Sequence, residues 1–428
     1  MRILQLAGYF FPEKAASIYL EENRYEAFSN AGFMTIVYTA RPQRGLTEGK
    51  YQEYKHKKQE MMYSGGVEVH RFAMYREGKN AVLRAFRYFL ISAIQLWKGI
   101  WAKDIDLIYV ASTPPTQGAL AALVKKFKKV PFVYNLQDIF PDSLAGTGLA
   151  KRGGLLWKTG RAIENFTYRN ADKIIVISQD FKKNIMTKGV PEDKIVVVYN
   201  WVDQNVVVEV PREQNKLFDM YGLDRSKFYI TYNGNIGLTQ NMEMLVEVAR
   251  ELEQEGRDDI HFVLTGNGAY WDTLVCRLRG IRQVERHAAP DGTEAITFGN
   301  ITLLPFQPYE DISHVFSLGD ASLVISKPGV GENSVPSKTW SIMSASRPVL
   351  ANFDENELKS IIENNNCGIF TKAGDKEAFK KAILALYNDR ELCREMGKNG
   401  RKFVMDNLTK EVGTQKYVDV IKSVATQH

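Results

Sequence analysis

Short apolar runs that read as buried strands alternate with helical patterns twice along this chain, and that alternation confines it to parallel sheets flanked by crossover helices. The first series has runs at Ile3 to Leu6, Thr35 to Tyr38, Leu107 to Ala111, Phe132 to Leu136, Lys173 to Ile177 and Ile195 to Tyr199. A polar, charge-rich stretch from Pro211 to Ser226 follows. The second series runs through Phe228 to Tyr232, His261 to Thr265, Ile301 to Leu304, Ala321 to Ile325 and Pro348 to Ala351. A chain of 428 residues exceeds what one hydrophobic core fills, so two domains of about 200 residues each are expected. The boundary falls near Asp203, after Asn200-Trp-Val-Asp203, giving domains at 1–203 and 204–407. Between Arg277 and Gly299 the pattern fades into what reads as a surface insertion. After Cys367 to Phe370 only helices remain, the last near Lys410 to Val424.

Bulk properties narrow the function. With 44% hydrophobic and 25% charged residues the chain is expected to be a soluble globular protein rather than a disordered one. A net charge of +6 suits a phosphate-bearing ligand or an anionic membrane surface; without a clustered aromatic-basic platform, nucleic acid is not expected as a partner. Cys276, Cys367 and Cys393 are too widely spaced for a disulfide framework or a zinc site, which points to a reducing cytoplasm. The chain opens directly into a strand-like run without the apolar core of a signal peptide, so a cytoplasmic location is expected. From Val82 to Trp101 the apolar pattern is interrupted by Arg84, Arg87 and Lys98, a poor spanning helix. Its stripe of Arg84, Phe86, Arg87, Tyr88, Phe89, Trp97 and Trp101 has two readings: an interfacial helix on a membrane, or a core helix with a charged outer face.

In open parallel sheets ligands bind beyond the carboxyl ends of the strands, so the loops after the strands matter most. Ser326-Lys-Pro-Gly-Val-Gly-Glu-Asn-Ser-Val-Pro-Ser-Lys338 follows a buried run and ends where a helix begins, with Ser337 as its expected N-cap. Helix-start amides and Lys338 there suit a diphosphate, although a glycine-rich connection can also be a plain tight turn. Three more loops are glycine-marked: Gly8-Tyr-Phe-Phe-Pro12, Asn233-Gly-Asn-Ile-Gly237 and Gly266-Asn-Gly268. Asp138, in Asn135-Leu-Gln-Asp-Ile-Phe-Pro-Asp142, either meets a sugar hydroxyl or caps its own loop. Glu332, among glycines, is better suited to ligand hydroxyls than to phosphate charge. Asp104-Ile-Asp106 reads as a strand entrance rather than a metal site, the six histidines lack zinc spacing, and no Gly-x-Ser-x-Gly elbow occurs, so no metal is expected.

At these residues the chain resembles the family-4 glycosyltransferases of the GT-B fold over nearly its whole length. Asn233-Gly-Asn-Ile-Gly237, Gly266-Asn-Gly268, Leu304-Pro-Phe-Gln-Pro308, Ser334-Val-Pro-Ser-Lys338 and Arg347-Pro-Val-Leu350 occur in that family's order and spacing. Gln137-Asp-Ile-Phe-Pro-Asp142 and Asn200-Trp-Val-Asp203 look like the branch that builds bacterial surface polysaccharides, including L-fucosamine-type transferases.

The resemblance implies an α/β architecture of two Rossmann-like domains facing a cleft. The N-terminal domain would bind the acceptor, the C-terminal domain the nucleotide sugar, and a last helix at 408–428 would pack back on the first. Gly234, Asn235 and Gly237 are then expected near the donor diphosphate, with Lys327 and Lys338 to neutralise it. Gly266, Asn267, Gly268 and Phe306 would border the nucleobase, and Ser337 phosphate or ribose. Asp138 and Glu332 are the catalytic candidates, and Gly8, Tyr9 and Phe10 the acceptor contacts. A UDP-sugar donor, an N-acetylated amino sugar among the candidates, would pass its sugar to a lipid-linked or oligosaccharide acceptor with retention and without a metal or other cofactor. Two departures stand out: Ser341 replaces the family's second glutamate, and Leu238 and Thr239 replace the Arg and Lys that often follow the glycine loop. Alternatives are a UDP-sugar 2-epimerase and a glycosyltransferase-like binding protein without turnover.

Overall fold

The structure is a computed structural model, described here for residues 1–13, 18–76, 81–142, 151, 153–279, 284–331 and 335–426, with only the backbone of 81, 82, 84 and 85. Glu332 therefore lies outside the described residues, as does the side chain of Arg84. The chain divides into two compact units, Met1–Asn200 with Glu411–His428, and Trp201–Lys410.

The first unit is an eight-stranded sheet of β1 (Arg2–Leu6), β2 (Met34–Ala40), β3 (Gln59–Met62), β4 (Val67–Phe72), β5 (Leu107–Ala111), β6 (Phe132–Leu136), β7 (Lys173–Val176) and β8 (Ile195–Val197). Its order is β3-β4-β2-β1-β5-β6-β7-β8, parallel except for β3. The central strands are covered on both faces, which is why they read as unbroken apolar runs. β3 and β4 escape that signal: β3 alternates exposed and half-buried positions, and β4 interleaves Val67 and Val69 with Glu68 and His70. The helix Lys410–Ala425 belongs to this unit. Its Tyr417 is fully buried, donates its hydroxyl to Asn135 Oδ1 at 3.0 Å and lies edge-on to Tyr109. Truncating such a side chain to Ala costs about 3–5 kcal/mol.

The second unit repeats the plan with β9 (Phe228–Asn233), β10 (Ile260–Thr265), β11 (Val284–Ala288), β12 (Glu294–Phe298), β13 (Ile301–Leu304), β14 (Ala321–Ile325), β15 (Val349–Phe353) and β16 (Gly368–Lys372). The order is β11-β12-β13-β10-β9-β14-β15-β16. The expected insertion at 277–299 is instead a hairpin: β11 pairs antiparallel with β12 from Val284↔Phe298 to Ala288↔Glu294, and β12 pairs with β13. Every residue of β11 is exposed and most are polar, so it carries no apolar signal; its charges also suit an edge strand that must not recruit another chain. The three cysteines are free thiols.

Both sheets reverse their winding beside the first strand of the unit, between β1 and β5 and between β9 and β14. The loops after those strands line the crevice where such sheets take ligands.

Candidate functional site

In the second unit β9 turns at Gly234 (φ 129°) and β10 turns at Gly266 (φ 148°), conformations that side chains resist. A Cβ on Gly266 would lie 1.9 Å from the Gly234 carbonyl oxygen, and one on Gly268 2.4 Å from that of Ile236. The two turns thus pack backbone on backbone. The Gly234 amide donates to Thr265 O at 2.9 Å, that of Ile236 to Asn267 O at 2.9 Å, and that of Gly237 to Gln240 Oε1 at 2.9 Å. These amides are occupied, so Gly234 and Gly237 contribute close approach rather than hydrogen-bond donors. Asn235 and Asn267 are exposed at the loop tips, and the Asn267 side chain accepts the Gly268 amide at 2.7 Å. The amides of Leu238 and Thr239 meet no acceptor among the described residues.

The loop after β14 is tied to this pair by the Lys327 amide, which donates to Thr239 O at 2.8 Å. Lys327 Nζ is 3.4 Å from Glu243 Oε1, so that cation is already shared with a carboxylate. Asp354 accepts the amides of Gly329 and Gly331 at 2.9 and 2.7 Å and shapes the loop from below. Ser337 precedes the helix Lys338–Ser344, but its side chain makes no capping bond, contrary to its expected N-cap role. It has helical dihedrals (φ −59°, ψ −25°), whereas a cap residue that reaches back to the first-turn amides is extended.

Lys338 is the distinctive group. Its Nζ stands 3.8 Å from the Tyr232 ring centroid and 3.4 Å from where a Cβ on Gly234 would lie. No carboxylate among the described residues pairs with it. Burial lowers its pKa from the ordinary lysine range to about 7. The aromatic face compensates part of that desolvation.

Phe306, in the loop after β13, is 78% exposed. Its neighbour Gln307 is buried and donates to Tyr221 Oη at 2.9 Å and Pro305 O at 2.8 Å, which pins the loop and holds the ring in solvent. A cavity of 490 Å³ at the amino edge of this sheet lies away from these loops; its Arg212 is paired with its Asp320 at 2.5 Å.

At the carboxyl edge of the first unit, a Cβ on Gly8 would fall 2.1 Å from Pro114 Cδ, so the loops after β1 and β5 are in contact. Tyr9 is half-buried, shares a hydrogen bond between its hydroxyl and that of Tyr88, and carries the Arg44 guanidinium 4.6 Å over its ring. Phe10 corrects the sequence expectation: it is 2% exposed, packs 5.2 Å from Tyr25, and belongs to the core rather than to an acceptor surface. The spacing of an aromatic triplet says nothing of which ring turns inward. Asp138 is exposed, on a loop whose amides at Gln137 and Asp138 donate to Ser112 Oγ at 3.0 and 3.2 Å.

Glu13 is a residue that sequence reasoning missed. Its buried carboxylate accepts the amides of Gln43 at 2.9 Å, Arg44 at 3.2 Å and Phe10 at 3.3 Å, and burial still pushes its pKa up. Nothing local marks it, because two of its three partners come from the loop after β2.

In the helix Ala81–Trp101 one member of the stripe, Arg87, departs from the sequence expectation by turning inward. Its inner face mixes the apolar Ile91 with polar groups: Gln95 is fully buried and donates to Ala7 O at 2.8 Å and Tyr38 O at 3.0 Å, and Arg87 is buried and donates to Tyr75 O at 3.0 Å. The outer face carries the rings. Arg87 is thereby removed from any lipid-facing role.

Among the described residues no group of three or more His, Cys, Asp or Glu could hold a metal, and no helix is long and apolar enough to cross a membrane.

Comparison with known proteins fits this geometry. Residues 22–201 match the glycosyl transferase 4-like domain, and residues 213–403 match glycosyl transferases group 1. The chain carries two glycosyltransferase domains, the second of group 1. It is 23% identical to the probable glycosyltransferase WbjE of Pseudomonas aeruginosa over 85% of this chain and 86% of that protein. With the putative colanic acid biosynthesis glycosyl transferase WcaI of Escherichia coli it shares 28% identity over 52% and 51% of the two chains. Anabaena HepE, solved in complex with UDP and glucose, matches with a TM-score of 0.69 at 16% identity, covering 99% of this chain and 100% of that one. The sucrose-phosphate synthase of Thermosynechococcus elongatus gives 0.71 at 14% identity, covering 100% of both. These likenesses show the GT-B fold for this glycosyltransferase.

Proposed function

We propose that this glycosyltransferase moves a sugar from a UDP-sugar to a lipid-linked glycan in bacterial surface-polysaccharide synthesis, such as capsule or O-antigen assembly. The observation that carries the donor half is Lys338: a half-buried lysine whose ammonium stands against the Tyr232 ring beside the Gly234 turn, without a carboxylate partner among the described residues. A diphosphate placed over that turn meets Lys338 from below and the Leu238 and Thr239 amides from the side. Phe306 offers a face for the base, and Gly266, Asn267 and Gly268 border it. Asn235 and Ser337, both exposed, reach the phosphates or ribose, with Lys327 beside them. UDP rather than another nucleotide is supported by the UDP bound to Anabaena HepE, and polysaccharide synthesis by the name of the WcaI relative. The motif at 137–142 favours an N-acetylated amino sugar of the L-fucosamine kind.

In this reading the second unit holds the donor and the first takes the acceptor at Gly8, Tyr9 and Asp138. The bond from the sugar's anomeric carbon to the diphosphate breaks, a bond to the acceptor hydroxyl forms, and a phosphate oxygen accepts the hydroxyl's proton, with retention and without a metal. Lys338 stabilises the charge that develops on the departing diphosphate. The protein works at the cytoplasmic face of the membrane, touching it through residues 84–101.

The test is calorimetry with UDP, followed by incubation with UDP-sugars and lipid-linked acceptors. UDP binding that depends on Lys338, and sugar appearing on a lipid, are the expected results. Turnover of a UDP-sugar to its epimer without acceptor overturns the transferase reading in favour of epimerisation; UDP bound with no transfer to any acceptor favours a binding protein.

A further inference from the structure

We infer that the helices Ala81–Trp101, Gln117–Lys128 and Leu155–Asn170 form one docking face for an anionic lipid bilayer, which deepens the membrane contact just proposed. They are successive crossovers of the first unit, with Gln117–Lys128 packed between the other two. On the first helix, Leu83, Phe86, Phe89, Trp97 and Trp101 are 53–69% exposed, at spacings of three, three, eight and four residues that keep them on one side. The buried positions Arg87, Ile91 and Gln95 run along the opposite side, so this row points away from the sheet. Phe127, at the end of the second helix, and Leu155, at the start of the third, are also exposed, at 66% and 85%. Monomeric proteins seldom leave so many large side chains together in water.

Charge identifies the occupant. The three helices contain nine Lys or Arg and one acid, Glu164, in a chain whose totals are 56 and 50. Glu164 is buried and takes the Tyr168 hydroxyl at 2.5 Å and Lys188 Nζ at 3.1 Å, so it offers nothing outward. Lys98, Lys126, Lys158 and Arg169 pair with no carboxylate among the described residues. Two copies of this face would set like charges against each other across a twofold contact. An anionic leaflet supplies the opposite sign, and rings flanked by lysines are what its interface accepts. Helix Ala81–Trp101 spans about 31 Å at 1.5 Å per residue, long enough to lie flat. Its first turns hold Tyr88, bonded to Tyr9, so docking brings the presumed acceptor loop next to the lipid surface.

The experiment is sedimentation of the full chain with vesicles of phosphatidylcholine alone or with one quarter phosphatidylglycerol, with UDP binding measured on the same samples. Binding at least about tenfold stronger to the anionic vesicles is expected. A Phe89→Ser, Trp97→Ser, Trp101→Ser variant should lose about tenfold or more of it while keeping its UDP-induced thermal shift. Lys126→Glu with Lys158→Glu, at positions already in solvent, should lose a similar amount. The inference is overturned by equal binding to both vesicle types, by variants that bind like the parent, or by a dimer in light scattering that the aromatic variant dissolves. A chain that binds UDP but no vesicle sinks the docking face alone; one that binds vesicles but no UDP sinks the donor reading alone.

Discussion

In the first unit the loops at the carboxyl edge are held by side chains: Ser112 Oγ takes the amides of Gln137 and Asp138, and Gln137 bonds Asn135 at 2.8 Å and is bonded by Asn200 at 2.9 Å. In the second unit the two turns at Gly234 and Gly266 on the same edge are packed backbone on backbone, with side chains holding the loops around them. Side-chain scaffolding fills the edge with polar groups that can be exchanged, which suits an acceptor side that must differ between enzymes. Backbone scaffolding leaves bare space over a turn, which suits a diphosphate common to many donors. On the proposed function, the difference between the units divides acceptor chemistry from donor chemistry on one topology.

The largest effect should come from removing the cation under the bare turn. Lys338→Met is expected to weaken UDP by about a hundredfold or more, the scale of losing one partner of a buried charge pair. The free protein should not lose stability, because a desolvated ammonium without a counter-ion is itself costly. Calorimetry and thermal denaturation on one preparation check both. Affinity within a factor of two of the parent would erase the contrast between the units.

Next come two glycines chosen as a matched pair. Gly266→Ala pushes a Cβ into a backbone oxygen at a φ of 148° and should cost on the order of 3 kcal/mol and abolish UDP binding. Gly8→Ala meets the Pro114 ring, whose Cδ is fixed to the backbone, and should cost about 2–3 kcal/mol without touching UDP affinity. Urea denaturation with and without UDP separates them. Equal effects on UDP would mean that the edge of the first unit also supports the donor.

How much of this was legible follows from the same contrast. The central strands and the loops at Gly234, Gly266 and Ser326 could be read because strand and turn are specified within a few residues: apolar runs for burial on two faces, glycine where a Cβ cannot fit. The hairpin at Val284–Phe298 could not, since an exposed edge strand needs no apolar run. Nor could Glu13 or the inward turn of Phe10, because their environments come from Gln43, Arg44 and Tyr25, far along the chain. Arg87 in the helix Ala81–Trp101 could not be placed for another reason. Periodicity finds a stripe but does not say which side faces the sheet, and here the sheet takes Gln95 and Arg87 while solvent takes the rings. Ser337 has a good cap residue's chemistry and the wrong dihedrals.

A pH series sharpens the role of Lys338. Its pKa in the free protein, about 7, lies below the unfolded value, so between those limits the unfolded chain holds the extra proton and the free protein gains stability as pH rises. Donor affinity should move the other way. An anion prefers the protonated lysine, so affinity is full below pH 7 and falls about tenfold per unit above it until the bound-state pKa is reached. Calorimetry from pH 6 to 9 with the parent and Lys338→Met tests this, and a slope that survives the substitution assigns the titration to another group.

The smallest effect belongs to Phe306, where stability and binding separate completely. The ring is 78% exposed and held out by the anchoring of Gln307, so Phe306→Ala should leave thermal denaturation unchanged within about 0.5 kcal/mol. Stacking of a base on an aromatic side chain is worth about 1–3 kcal/mol, so UDP should weaken by roughly five- to tenfold at the low end, while pyrophosphate, which has no base, should bind both proteins alike. Phe306→Tyr should restore UDP affinity, because a second aromatic face serves as well. Loss of pyrophosphate binding in Phe306→Ala would show that the ring holds the loop rather than the base, and would move nucleobase recognition to Gly266, Asn267 and Gly268 on the neighbouring strand.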